Sequence, residues 1–96
     1  MAIRSFSDRS TEEFYFTGRA ARKAGWRGVA PVARRKLDLL QYAADLRDLR
    51  SPPGNRLEVL QGDLKGLHSI RINDQWRVVF RWTSVGAEAV RITDYH

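Results

Sequence analysis

A chain of 96 residues, 43% hydrophobic and 29% charged, supports one modest core and is too apolar for a disordered segment. It contains no cysteine, which excludes a disulfide framework, a cysteine zinc site and thiolate chemistry. The formal charge of +6 and a pI near 10.5 point instead towards nucleic acid. Of the 17 basic residues, 14 are Arg and three are Lys. Arg grips phosphate bidentately and stacks on bases, although a GC-rich genome also enriches it. The opening "MAIRSFSDRS" has no apolar signal core and no run is long enough to span a membrane, so a single cytoplasmic domain over residues 1–96 is expected.

Taken in chain order, "AIRSF" (2–6) reads as a short strand. "SDRSTEEFYFTG" (7–18) has capping residues, early acids and a terminal Gly, which predict a helix. The Gly-punctuated 19–30 stretch reads as a loop or short helix anchored by Trp26. Pro31 opens a longer helix over 31–51, with Leu39, Tyr42, Ala43, Leu46 and Leu49 as its apolar stripe, closed by "SPPGN" at 51–55. Thereafter the period becomes two. "RLEVL" (56–60), "LHSIRI" (67–72), "WRVVFRW" (76–82) and "EAVRITD" (88–94) predict four strands, with "QGDLKG" (61–66) as a turn. The order β-α-α-β-β-β-β gives an α+β fold with an antiparallel sheet.

Alternation sorts the strands into faces. His68, Ile70, Ile72, Trp76, Val78, Phe80, Trp82, Val90 and Ile92 form an apolar face for the long helix, with His68 as a core histidine whose hydrogen bonds are met. The other face carries Arg71, Arg77, Val79, Arg81, Arg91 and Tyr95. A three-residue turn at 73–75 sets Ile70 against Val78 and Arg71 opposite Arg77. Directly opposed like charges cost roughly 0.2–1 kcal/mol. Either the Arg side chains splay into solvent towards loop carboxylates, or the face is a basic platform for a nucleic-acid backbone.

At this point the residues carry a resemblance. The opening "IRSF", the proline-led helix, the block "GNRLEVLQGDLKGLHSIRINDQWRVVFRW" (54–82) and the final "DYH" (94–96) resemble HigB-type toxins of the RelE/ParE superfamily, from type II toxin–antitoxin modules. The resemblance implies two N-terminal helices packed on a twisted antiparallel sheet. It also implies ribosome-dependent mRNA endonuclease activity in the 30S A site, and a HigA-like helix-turn-helix antitoxin in a toxin–antitoxin hetero-oligomer. Carried over, the active site falls on Arg77, Asp94, Tyr95 and His96. Where one branch has a catalytic His and a Lys, this chain has Glu58 and Gln61.

RNA can be cut without a metal when its own 2′-OH attacks the neighbouring phosphate. Such a site needs a base, an acid and fixed cationic donors. Arg77, with Arg71 or Arg81 beside it, would supply charge. Tyr95 and His96 would exchange protons, Glu58 is an alternative base, and Asp94 would orient His96 or a nucleotide. Lys65, Arg71, Arg81 and Arg91 are the candidate RNA-binding residues. No cofactor is expected, and two His with scattered carboxylates lack metal-ligand spacing. Two other readings share the fold and charge: a ParE-like inhibitor of DNA gyrase and a non-catalytic RNA-binding module.

Overall fold

The computed structural model describes residues 2–94. Asp8 starts helix α1 (Arg9–Thr17) by accepting the Thr11 N–H at 2.7 Å, and Gly18 ends it in the left-handed region at φ 77. The buried Thr11 hydroxyl then accepts the backbone N–H of Ile92 at 3.0 Å, which pins the helix to the last strand. Trp26 sits in a short 3-10 turn, Gly25–Val29, and packs on Phe14 with ring centroids 4.8 Å apart. It is the anchor the sequence suggested.

Helix α2 (Ala30–Tyr42) has Pro31 in its first turn, but it is shorter and turned differently from the expectation. Ala33, Leu37, Leu40 and Gln41 are its buried residues, whereas Leu39 and Tyr42 are exposed. The helix stops because the next segment has its own capping. Ala43 is extended, Asp45 and Asp48 form a capping box, and a separate 3-10 turn, Leu46–Arg50, delivers Leu49 to the core. Asp side chains that take nearby backbone N–H groups compete directly with the helical ladder.

The sheet is antiparallel in the order β1-β2-β3-β4, comprising β1 (Glu58–Val59), β2 (His68–Arg71), β3 (Arg77–Thr83) and β4 (Gly86–Thr93). β1 is shorter than the predicted 56–60 strand, because Arg56 adopts a left-handed backbone at φ 44. The register of β2 on β3 pairs Ile70 with Val78 and Arg71 with Arg77, as the three-residue turn requires. Between β3 and β4 the register shifts: Val79 faces Arg91, but Arg81 faces Glu88. Ala89, at φ 53, absorbs the extra residue as a bulge. Ala87 and Val90, three apart, therefore both reach the core.

The bulge also explains the N-terminus. Residues 2–6 do not form a regular strand; two isolated parallel bridges, Ile3 to Ala87 and Phe6 to Val90, join them to β4. Ser5 Oγ accepts the N–H of Ala89 at 2.9 Å, so a side chain takes the place of a ladder bond. Buried Gln41 holds the start of the segment, accepting Ile3 N–H on Oε1 and Ala2 N–H on its carbonyl.

On the helix side, Ile70, Ile72, Val78, Phe80, Val90 and Ile92 pack with Phe14, Trp26, Leu37, Leu40 and Leu49, while Trp76 and Trp82 are partly buried at the margin. His68 points inward as predicted and stacks on Phe80, with centroids 6.0 Å apart. Its Nδ1, however, is buried without a hydrogen-bond partner among the described residues. Burial lowers its pKa, which favours the neutral imidazole. On the charged side, Leu60, Ser69 and Val79 are buried outside the main core, giving that face a closed centre with a charged margin. No described helix is long and apolar enough to cross a membrane.

Candidate functional site

Three strands and one turn meet where β2 ends and β3 begins. Arg77 lies there opposite Arg71, and its side chain is only 11% exposed. It reaches across the sheet to Glu58 on β1, with Nη1 3.5 Å from Oε1. That separation is at the limit of a hydrogen bond, and Glu58 is half exposed, so the carboxylate offsets little of the Arg77 charge. The Arg77 Nε is buried and has no partner among the described residues. A buried donor left unmade costs about 1–3 kcal/mol, so this Nε is a ready donor to an incoming group.

The adjoining turn fixes the other groups. Asn73 Oδ1 accepts the N–H groups of Gln75 and Trp76 at 2.9 and 2.7 Å, which ties residues 73–76 into one turn. Arg71 pairs with Asp74. Asp74 is held below the usual carboxylate range, first by the hydrogen bond from Arg71 and then by its charge, with smaller contributions from Arg56 and Arg77. Gln75 Nε2 donates to Asp94 Oδ2 at 3.0 Å, so the residue leaving β4 is drawn to the same corner. The candidates Tyr95 and His96 lie outside the described residues.

The structure thus gathers Glu58, Arg71, Arg77 and Asp94, and sets the remaining candidates apart. Arg81 is four residues further along β3, roughly 13 Å at strand rise, and faces Glu88. Its guanidinium lies over Gly66, where an added Cβ would be 3.1 Å from Nη1, beside the exposed Lys65. Arg91 pairs with Val79 near the middle, half-buried. The charged face therefore has two cationic ends separated by Leu60, Ser69 and Val79.

Two cations at the Arg77 corner escaped the sequence reading. Arg56 lies two residues before Glu58 and contributes to the field on Asp74. Lys36, on α2, donates to Asn55 Oδ1 at 2.6 Å and is near enough to Arg71 to be affected by its charge. Alternation back from Glu58 could have flagged Arg56. Lys36 had no such signal, since its position depends on how α2 is rotated. The corner as a whole can hold a phosphate oxyanion on fixed guanidinium donors, with carboxylates at hand for proton transfer. Among the described residues, no group of three or more His, Cys, Asp or Glu is placed to hold a metal ion.

Two N-terminal helices on this four-stranded sheet constitute the RelE-like toxin fold. A YoeB–YefM complex from Staphylococcus aureus aligns over 100% of this chain and 99% of its own, with a TM-score of 0.60 at 18% identity. A YoeB/ParE toxin from Agrobacterium tumefaciens aligns over the full length of both chains, with a TM-score of 0.55 at 21% identity. Sequence narrows the class. The chain is 43% identical over 77 residues to Toxin HigB-1 of Vibrio cholerae serotype O1, covering 80% of each protein. The model of the HigB-like toxin family, described as RelE-like toxins of type II toxin–antitoxin systems, matches residues 4–96, and the chain belongs to that family.

Proposed function

We propose that this toxin is an endoribonuclease that cleaves mRNA on the ribosome, without a metal, by attack of the 2′-OH on the adjacent phosphate. The observation that carries the reading is Arg77: a nearly buried guanidinium opposite Arg71, with an unpartnered Nε among the described residues and a loosely held carboxylate. Such an arrangement favours an incoming anion. Arg77 and Arg71 would stabilise charge growing on the non-bridging oxygens, a role typically worth 10²–10³ in rate for one donor. Glu58 faces the same space as Arg77 and is the carboxylate available to remove the 2′ proton. Asp94, held by Gln75, leads directly into Tyr95 and His96, which we assign to proton exchange with the leaving 5′-oxygen. The A site of the 30S subunit would hold the mRNA in attack geometry, a contribution that a site with so few groups needs.

The proposed partners follow from the family and the charge. A HigA-like helix-turn-helix antitoxin would complete a hetero-oligomer in the cytoplasm. The S. aureus neighbours are themselves toxin–antitoxin complexes, one of them described as heterotetrameric. The test is brief induction followed by mapping of new mRNA 5′ ends, with translation of the same transcript on or off. Cuts confined to translated frames are the expected result. Absence of new ends together with a DNA-damage response would replace this reading with gyrase inhibition.

A further inference from the structure

Lys36 is a cation whose fixed partner is neutral. Asn55 is fully buried, and its amide is oriented by donating to the carbonyls of Leu49 and Ser51 at 3.1 and 3.2 Å. Both donors are therefore committed, which leaves Oδ1 as an acceptor that only a donor can satisfy. Lys36 Nζ fills that role at 2.6 Å. An ammonium has three donors, so two remain for other groups, and the side chain is only half-buried. Among the described residues no carboxylate lies within ion-pair distance of Lys36.

Its charged neighbours are cations. Arg35 and Arg71 both oppose its protonation, after burial, and its pKa is lowered accordingly. Lys36, Arg56, Arg71 and Arg77 thus share one end of the sheet with Glu58, Asp74 and Asp94 as counter-charges among the described residues. The cations outnumber the carboxylates, 4 − 3, and the excess favours an anionic backbone at this end of the sheet. Arg77 can meet one phosphate, and Lys36 keeps two donors for its neighbour.

We propose that Lys36, clamped by Asn55 beside Arg71, forms a second phosphate subsite that holds the RNA backbone next to the phosphate taken by Arg77. The subsite rests on the nuclease reading for its ligand, though binding and cleavage are separable. Its contact is to a phosphate that does not react, so it acts equally on bound substrate and transition state. Removing it raises KM and leaves kcat nearly unchanged. Lys36 is in this sense a positioning residue.

The test uses a short 2′-O-methyl RNA, which cannot be cut by 2′-OH attack, and the purified full chain. Lys36→Met keeps the aliphatic stem and removes the charge; Lys36→Arg restores it. We expect Lys36→Met to weaken binding about 3- to 10-fold and to flatten the salt dependence by about 0.7 in log–log slope, the value for one single-stranded phosphate contact. Lys36→Arg should recover most of both. With only three lysines in the chain, side-chain ammonium resonances give a direct second readout: the Lys36 pKa should rise when the RNA binds. Equal affinity and salt slope in Lys36→Met, or a Lys36 pKa unmoved by saturating RNA, overturns the subsite. RNA binding that depends on Lys36 in a protein that cleaves no transcript would retain the subsite and reject the nuclease. Cleavage with a KM indifferent to Lys36 would do the reverse.

Discussion

Replacing Asn55 with alanine should cost this small domain about 3 kcal/mol. The figure follows from what the side chain holds: two neutral hydrogen bonds to the carbonyls of Leu49 and Ser51, and one from the Lys36 ammonium. Neutral bonds contribute about 1 kcal/mol each, and the buried carbonyls they leave behind find no water. The charged bond would be worth more in isolation, but Lys36 is half-buried and can turn towards solvent, so about 1 kcal/mol is assigned to it. Against a typical stability of about 5–15 kcal/mol this is a large fraction. For a domain of this size it lowers Tm by about 10–25 °C. Urea or thermal unfolding followed by tryptophan fluorescence reads it, since Trp26 is in the core. Asn55→Asp should be at least as damaging, because a carboxylate oxygen would then face two carbonyls. In the Asn55→Ala background Lys36→Met should cost almost nothing further. A loss below about 1 kcal/mol, or full additivity of the two changes, would refute the account of a locked amide.

Arg77→Met should lower mRNA cleavage by about 10²-fold or more while leaving stability unchanged or raised by up to about 1 kcal/mol, because it removes an opposed like charge and an Nε without a partner among the described residues; 5′-end mapping and urea titration measure the two effects. Glu58→Gln should reduce cleavage about 10²–10⁴-fold if Glu58 is the base, and wild-type rates would leave it only an orienting role for Arg77. His68 should make stability fall with acid. Its folded pKa lies below the ordinary 6.5, so as pH drops below that value the unfolded chain takes a proton that the folded one resists. Urea midpoints at pH 7.5 and 5.5 should differ less in His68→Phe than in the wild type. Gly86→Ala should destabilise by about 2 kcal/mol or more, since φ is 129 and a Cβ there would overlap the Ala2 carbonyl; thermal unfolding is the check.

The opposition of Arg71 and Arg77 was legible because a three-residue turn and strict alternation leave one register that keeps Ile70 and Val78 inside. The rotation of α2 was not legible. Leu37, Leu39 and Leu40 offer competing stripes, and only packing against the sheet chooses Leu37 and Leu40. Lys36 went unseen for the same reason. The β4 bulge has no sequence signal either, for its left-handed residue is Ala89 where a Gly or Asn would have announced it. That single residue sets Glu88 opposite Arg81 and leaves the cationic end near Lys65 partly compensated. At the Arg77 corner the cross-strand carboxylate is Glu58, 3.5 Å away and half exposed. Of the acid–base candidates, Glu58 and Asp94 are placed at that corner, and Tyr95 and His96 lie outside the described residues.

The clasp between residues 2–7 and β4 bears on when this protein comes into being. Its bonds span almost the whole chain, from Ser5 to Ala89 and from Ile3 to Ala87. Contacts between such distant residues form late, after the entropy of closing the loop has been met. During synthesis the first residues must wait for β4 to leave the exit tunnel, and Arg77 has no complete sheet to lie on until then. The proposed nuclease corner is thus among the last parts of the fold to be completed as the chain is made.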